Sequence, residues 1–189
     1  MTEIVLVRHG ETSWSRSGRH TGRTDIALTA AGMEQARALA GQLAGRRFDA
    51  VLTSPLRRAR DTCRLAGLDR AEVRSELAEW DYGAYEGLTT AQIRQQRPGW
   101  SLWRDGAPQG EDAEAVAARV DPLVARLRDT DQEVVVFSHG HLLRVLAARW
   151  LGLPATNGRL FALSTATISR LGTEHGKPVI LGWNQTCPP

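Results

Sequence analysis

Three short strings bring imidazole, guanidinium and glycine together in this chain: Arg8-His9-Gly10-Glu11-Thr12, Ser54-Pro55-Leu56-Arg57-Arg58-Ala59 and Ser138-His139-Gly140-His141. Together they supply the groups that phosphate chemistry needs. Guanidinium binds phosphate oxygens in pairs and stays charged at any working pH. A neutral imidazole is a competent nucleophile, and pinning one ring nitrogen on a backbone carbonyl would aim the other at phosphorus. Two arginines and an imidazole neutralise a dianion without a metal, and helix N-termini behind Ser54 and Gly140 would add amide donors and a favourable dipole. His9 is the best placed of the histidines for the nucleophile. Glycine directly after His9 and His139 permits a tight turn and a close backbone approach to a ligand.

Each string follows a short apolar run, so strands are expected at Ile4 to Val7, Ala50 to Thr53 and Glu133 to Phe137. Helical patterns lie between them. Thr29 caps a helix whose apolar positions Met33, Ala36, Leu39, Ala40 and Leu43 form a core-facing stripe ending near Gly45. Ser54 and Pro55 read as N-cap and first residue of a helix carrying Arg57, Arg58, Arg60 and Thr62. Thr89 or Thr90 starts another, a third runs from Asp112 to about Arg128, and a fourth from His141 to Leu151. Late strands at Ala166 to Leu171 and Val179 to Trp183 finish the sheet, and the Cys187-Pro188-Pro189 tail is expected to be loosely held. The alternation implies an α/β/α arrangement around a central, mostly parallel sheet, in which ligands bind beyond the carboxyl ends of the strands. All three strings would then meet at one edge. The least regular stretch, Arg97 to Glu111 with Trp100 and Trp103, is a candidate cover for that edge.

A chain of 189 residues with 42% apolar content can bury a core as one domain spanning 1–189. Its net charge of +3 is spread over scattered arginines, with Lys177 the only lysine, so nucleic acid is not an implied partner. Cys63 and Cys187 form neither a disulfide framework nor a metal-ligand spacing, which suits a reducing, cytoplasmic setting. The opening Glu3-Ile4-Val5-Leu6-Val7 has no leader-like basic or long apolar region, and no run is long enough to span a bilayer. Secretion and membrane association are therefore not expected, and the oligomeric state is not legible.

Read together, these strings resemble the histidine phosphatase superfamily, in the branch that also contains cofactor-dependent phosphoglycerate mutases. The resemblance rests on Leu6-Val7-Arg8-His9-Gly10-Glu11-Thr12, on Leu28-Thr29 with Gly32 and Gln35-Ala36, and on Ser54 to Ala59 with Thr62. Leu77-Ala78-Glu79 ahead of Tyr82-Gly83 and Glu86-Gly87, then Ser138-His139-Gly140, complete it in family order. It implies a phosphoglycerate mutase-like fold and a phosphoryl group passed to His9 while Arg8, Arg58 and His139 bind it. Glu79 would protonate the leaving oxygen, with Asp81 in reserve. Ser15, Thr21 and Gly22 would line the substrate side near Tyr82, and His20, His141 and Arg104 are further candidates for substrate contact. No cofactor or metal is implied, and the partner is a small phosphorylated substrate.

The stretches around Trp14-Ser15-Arg16, Glu79 to Gly87, Trp103-Arg104-Asp105-Gly106 and Phe137 to His141 look closer to sedoheptulose-1,7-bisphosphatase-type enzymes than to the mutases. Ser15 and His141 stand where the mutases commonly have asparagine, and the segment after Glu79 is short and poor in basic residues. The first departure leaves the identity of the substrate open, and the second favours water as the final acceptor. The competing expectations are a bisphosphoglycerate-dependent mutase using the same residues, a phosphoprotein phosphatase, and a phosphate-binding module without catalysis.

Overall fold

The computed structural model describes residues 3–186, so the expected loose tail at Cys187 lies outside the described residues. Four strands run parallel: β1 (Ile4–Arg8), β2 (Ala50–Thr53), β3 (Glu72–Val73) and β4 (Val134–Ser138). A C-terminal hairpin of β5 (Thr167–Glu174) and β6 (Lys177–Thr186) adds two antiparallel strands beside β1. The order is β3-β2-β4-β1-β5-β6, the mostly parallel sheet that the sequence implies.

Both faces of the central strands are buried, which is why they read as unbroken apolar runs. Alternate residues divide between two cores, as the two-residue repeat of a strand requires. Ile4, Leu6, Val134 and Val136 pack beneath α6 (Ala113–Arg128) and α7 (Gly140–Trp150). Val5, Val7, Val135 and Phe137 pack beneath α2 (Ala30–Leu43) and α3 (Arg57–Leu65). The short α1 (Ser13–Arg16), α4 (Thr90–Gln96) and α5 (Leu102–Asp105) decorate the carboxyl edge.

Register brings the three strings together. Arg8 pairs with Ser138 and Thr53 with Phe137, so the chain leaves all three strands at the same level. The His9 amide then bonds the Ser138 carbonyl at 3.0 Å, and the Ser54 amide bonds that of Phe137 at 3.0 Å.

Four local expectations change. Met33 is exposed, because the buried stripe of α2 is Gly32, Ala36, Leu39 and Leu43, and Met33 lies off that line. Ser54 does not cap α3: the helix begins at Arg57 with Leu56 at its cap and no capping side chain, and Pro55 precedes it. Glycine after histidine also serves protein packing, while Gly140 lines the cavity facing His9. A methyl group on Gly10 would lie 2.4 Å from the Gly32 carbonyl oxygen at the start of α2, and one on Gly140 would lie 3.2 Å from Cζ of Arg8. Residues 97–111 are not an open loop, since they contain α5 and are anchored by Trp100, whose fully buried indole donates to the Gly106 carbonyl at 3.0 Å and packs edge-on against Tyr85.

Candidate active site

His9 sits just beyond β1, 4% exposed, with Nδ1 2.7 Å from the carbonyl of Gly10. A carbonyl only accepts, so Nδ1 carries the proton and Nε2 holds the lone pair, with no protein partner among the described residues. Burial, and then the positive charges of Arg58 and Arg8, hold the imidazole well below its ordinary pKa. A neutral imidazole with a free Nε2 is the form in which histidine attacks phosphorus. The Gly10 amide donates to Thr62 Oγ1 at 3.0 Å, which steadies the turn.

Behind His9 lies a fully buried cluster. Arg58 donates from Nε to His139 Nδ1 at 3.1 Å, from Nη1 to the Thr24 carbonyl at 3.0 Å, and from Nη2 to the carbonyls of Thr21 and Gly22 at 2.9 and 3.0 Å. Because guanidinium only donates, the His139 proton rests on Nε2 and points at Ser54 Oγ, 2.7 Å away. Ser54 is thus spent on His139 and on the Leu56 amide, which explains the missing helix cap. His139 is also held neutral, chiefly by burial and then by Arg58. The His9 and His139 rings lie 5.2 Å apart. Arg8 bonds the Leu163 carbonyl through Nη1, while its buried Nε has no partner.

The space facing His9 is a cavity of about 280 Å³ lined by Arg8, His9, Ser15, Thr21, Glu79, Tyr82 and His141, with Arg19, His20, Thr90, Gly140, Arg144 and Leu163. Arg58 and His139 back this cavity without opening into it. Glu79 is held by three backbone amides: its own neighbour Trp80 at 2.9 Å, and His141 and Leu142 in the first turn of α7 at 3.1 and 2.9 Å.

Another part of the lining carries aromatic and neutral rings beside Arg144. Tyr82 and His141 share a hydrogen bond of 2.6 Å, and the His20 ring stacks at a tilt 4.8 Å from Tyr82. Burial lowers His20 to about 4, pushes His141 well below its ordinary value with help from Arg144, and keeps the Tyr82 hydroxyl protonated. Arg144 lies over the Trp103 ring at 4.6 Å and donates from Nε and Nη2 to the carbonyls of Gly158 and Arg159, leaving Nη1 without a protein partner among the described residues.

Some expected contacts do not form. Gly22 stays outside the cavity; its carbonyl receives Arg58 and its amide donates to the Glu86 carboxylate. The Ser15 hydroxyl lines the space but closes on the Thr12 backbone in a capping box. Asp81 turns away to Arg23 at 2.7 Å, and Arg104 is exposed against Asp105. Arg144 and Arg19 were not legible as site residues, although Arg144 stands four residues after Gly140 and so shares its helix face. A wider cleft of about 470 Å³ runs along α3 between Arg57, Arg60 and Arg64. Its one thiol, Cys63, is buried and pushed up to about 12, too high to be a nucleophile at neutral pH.

The family model described as histidine phosphatase superfamily (branch 1) matches residues 4–186. An acid phosphatase of Mycobacterium tuberculosis is 49% identical over 178 residues, covering 92% of this chain and 87% of its own length. Sedoheptulose 1,7-bisphosphatase of Saccharomyces cerevisiae is 35% identical, over 79% of this chain and 67% of its own. Among solved structures, an open-reading-frame product of Mycobacterium tuberculosis superposes with a TM-score of 0.94 at 43% identity, covering 99% of both chains. Mycobacterial glucosyl-3-phosphoglycerate phosphatase in complex with VO3 superposes at 0.87 with 33% identity, covering 98% of this chain and 100% of that one.

Proposed function

The chain belongs to the histidine phosphatase superfamily, branch 1, and on that premise we propose that it is a metal-independent phosphomonoesterase that carries the phosphoryl group on His9. The observation that supports this reading most directly is the His9 ring, pinned at Nδ1 to Gly10 with Nε2 free toward a cavity that also holds Arg8 and Glu79. In the first transfer Nε2 attacks phosphorus, the P–N bond forms as the bond to the leaving oxygen breaks, and Glu79 gives that oxygen its proton. Water then attacks the phosphohistidine, the P–N bond breaks back to His9, and the Glu79 carboxylate takes the water's proton. Arg8 meets the charge on the equatorial oxygens from the cavity lining, and Arg58 and His139, which stand behind it in this structure, join once their side chains turn from the Thr24 carbonyl and Ser54 Oγ toward the bound phosphate. A His9 kept neutral below its ordinary pKa retains its nucleophile in mild acid, in keeping with the relative named acid phosphatase.

The substrate is a sugar phosphate or bisphosphate, and the sugar that loses its phosphoryl group is the leaving group. Neutral His20, His141 and Tyr82 offer donors and acceptors suited to hydroxyl groups, and the free Nη1 of Arg144 suits a second anionic group.

Phosphate release from p-nitrophenyl phosphate, 3-phosphoglycerate, sugar phosphates and sugar bisphosphates, measured with EDTA present, tests the reading. Release should be EDTA-insensitive, best on the phosphorylated sugars, and lower in His9→Ala by about 10⁴-fold or more. Release that survives in His9→Ala would refute the phosphohistidine, and primer-dependent isomerisation of 3-phosphoglycerate without release would make the protein a mutase.

A further inference from the structure

Glu79 belongs to no helix or strand. The stretch from Ala78 to Asp81, just after the short 3-10 turn Ser75–Leu77, crosses the carboxyl edge as largely buried irregular chain, where backbone amides and carbonyls need partners. Three carbonyls in and beside it take their partner from one side chain. Arg119, in the middle of α6, spends all five of its N–H groups: Nε and Nη2 on the two carboxylate oxygens of Glu111 at 2.7 and 2.9 Å, Nη1 on the carbonyls of Glu76 and Ala78 at 2.8 Å each, and Nη2 again on the carbonyl of Glu79 at 3.1 Å. Glu111 grips the same stretch from beyond. Its Oε2 accepts the Asp81 amide at 2.8 Å, its carbonyl accepts the Trp80 indole N–H at 2.9 Å, and its amide donates to the Asp81 carbonyl at 2.9 Å.

The geometry points to Arg119 and Glu111 as positioning residues for the proton donor: a clamp on the backbone either side of Glu79 that fixes where its carboxyl group meets the leaving oxygen. This rests on the reading of Glu79 as the acid. Neither residue lines the cavity, so each acts through the chain it holds. The fork shape of guanidinium is essential, since an ammonium has three donors on one atom and cannot span a carboxylate and three carbonyls. The segment that could have been taken for a lid has a different part in this arrangement, because the end of it, Glu111, is the second jaw of the clamp.

A misplaced acid is felt in proportion to how much the leaving group needs a proton. p-Nitrophenolate leaves without one, whereas the alkoxide of a sugar or glycerol phosphate does not. The test compares kcat/KM, which reports the steps through the first phosphoryl transfer, for p-nitrophenyl phosphate and for an alkyl phosphate in Arg119→Lys, Glu111→Gln and Glu79→Gln. Glu79→Gln should depress the alkyl phosphate by about 10²–10³-fold more than the aryl one, the scale of general acid catalysis. Arg119→Lys should reproduce the same selective loss at about 10–100-fold, and Glu111→Gln at roughly threefold to tenfold, because part of a general acid's contribution survives imperfect placement. Melting temperatures of the three variants separate lost placement from lost fold. Where Arg119→Lys does not fold, Glu111→Gln, which keeps the shape of the side chain, decides the matter. Equal losses on both substrates in the Arg119 and Glu111 variants, with the selective loss intact in Glu79→Gln, would overturn the clamp alone. No selectivity in Glu79→Gln would instead overturn the acid on which the clamp depends.

Discussion

Around His9, the ring nitrogens of His139, the Arg58 guanidinium and the Ser54 hydroxyl bond to one another and to the carbonyls of Thr21, Gly22 and Thr24. On another wall, Arg144, His20 and His141 reach the cavity from two separate parts of the chain and rest largely on aromatic faces. The first region is a closed network in a dry setting, where each member fixes the proton position of the next. The second leaves at least one donor open and carries neutral rings. On the proposed function, a transferring phosphoryl group is the same in every substrate and suits a rigid floor, whereas the leaving group varies and suits the wall. Changes to the floor should therefore slow all substrates alike, and changes to the wall should sort them.

Removing Arg58 gives the largest effect beyond loss of His9 itself. Arg58→Met should lower kcat on every phosphomonoester by about 10²–10³-fold, the scale seen when one donor to a developing anion is deleted. The carbonyls it serves would be left buried and unpaired, so urea unfolding should also show a loss of about 3 kcal/mol. Selectivity among substrates in this variant would contradict the division between floor and wall. Arg144→Gln sharpens the comparison from the other side. KM for a sugar bisphosphate should rise about tenfold against a much smaller rise for p-nitrophenyl phosphate, as expected when a binding contact shared by ground and transition states is lost. Parallel rises for both would remove Arg144 from the wall's function.

The smallest effect lies in pH. Burial holds His20 at about 4 against an ordinary 6.5. Between those values the unfolded chain takes up a proton that the folded chain refuses, so the contribution is fully present above 6.5 and is lost as pH falls toward 4. Denaturant midpoints measured from pH 6.5 to 4.5 should fall for the parent, and less steeply for His20→Gln. An equal slope in the variant would show that His20 is not held neutral. His9, His139 and His141 are depressed in the same direction and supply the slope that remains.

The legible parts of the fold share one cause. A strand buried on both faces shows in sequence as a short apolar run, and the chemistry that follows it shows as an adjacent motif, so His9, Arg8 and His139 could be read in place. Met33 misled because the helical repeat marks a stripe without marking its edge, and it lies on that edge. Ser54 misled because a serine before a proline and a helix looks like a cap, while a histidine more than eighty residues away competes for the same hydroxyl. Trp100 and Trp103 sat in a stretch rich in proline and glycine that looked open, yet the indoles find their partners at Gly106 and Arg144.

The sequence by itself determined the α/β class and the placing of its three chemical strings directly after strands, and it marked His9 as the residue proposed for the nucleophile, because these depend on local periodicity and on residues adjacent along the chain. Only the tertiary structure decided which nitrogen of each histidine carries the proton, that Arg58 and His139 stand behind the cavity while Arg144 faces into it, and that Arg119 and Glu111 hold the chain around Glu79. Apart from the His9–Gly10 bond and the Arg119–Glu111 pair, these are contacts between residues far apart along the chain, made in buried or partly buried surroundings. There a lone donor or acceptor is costly, and the partner that relieves it is set by the packing of whole elements.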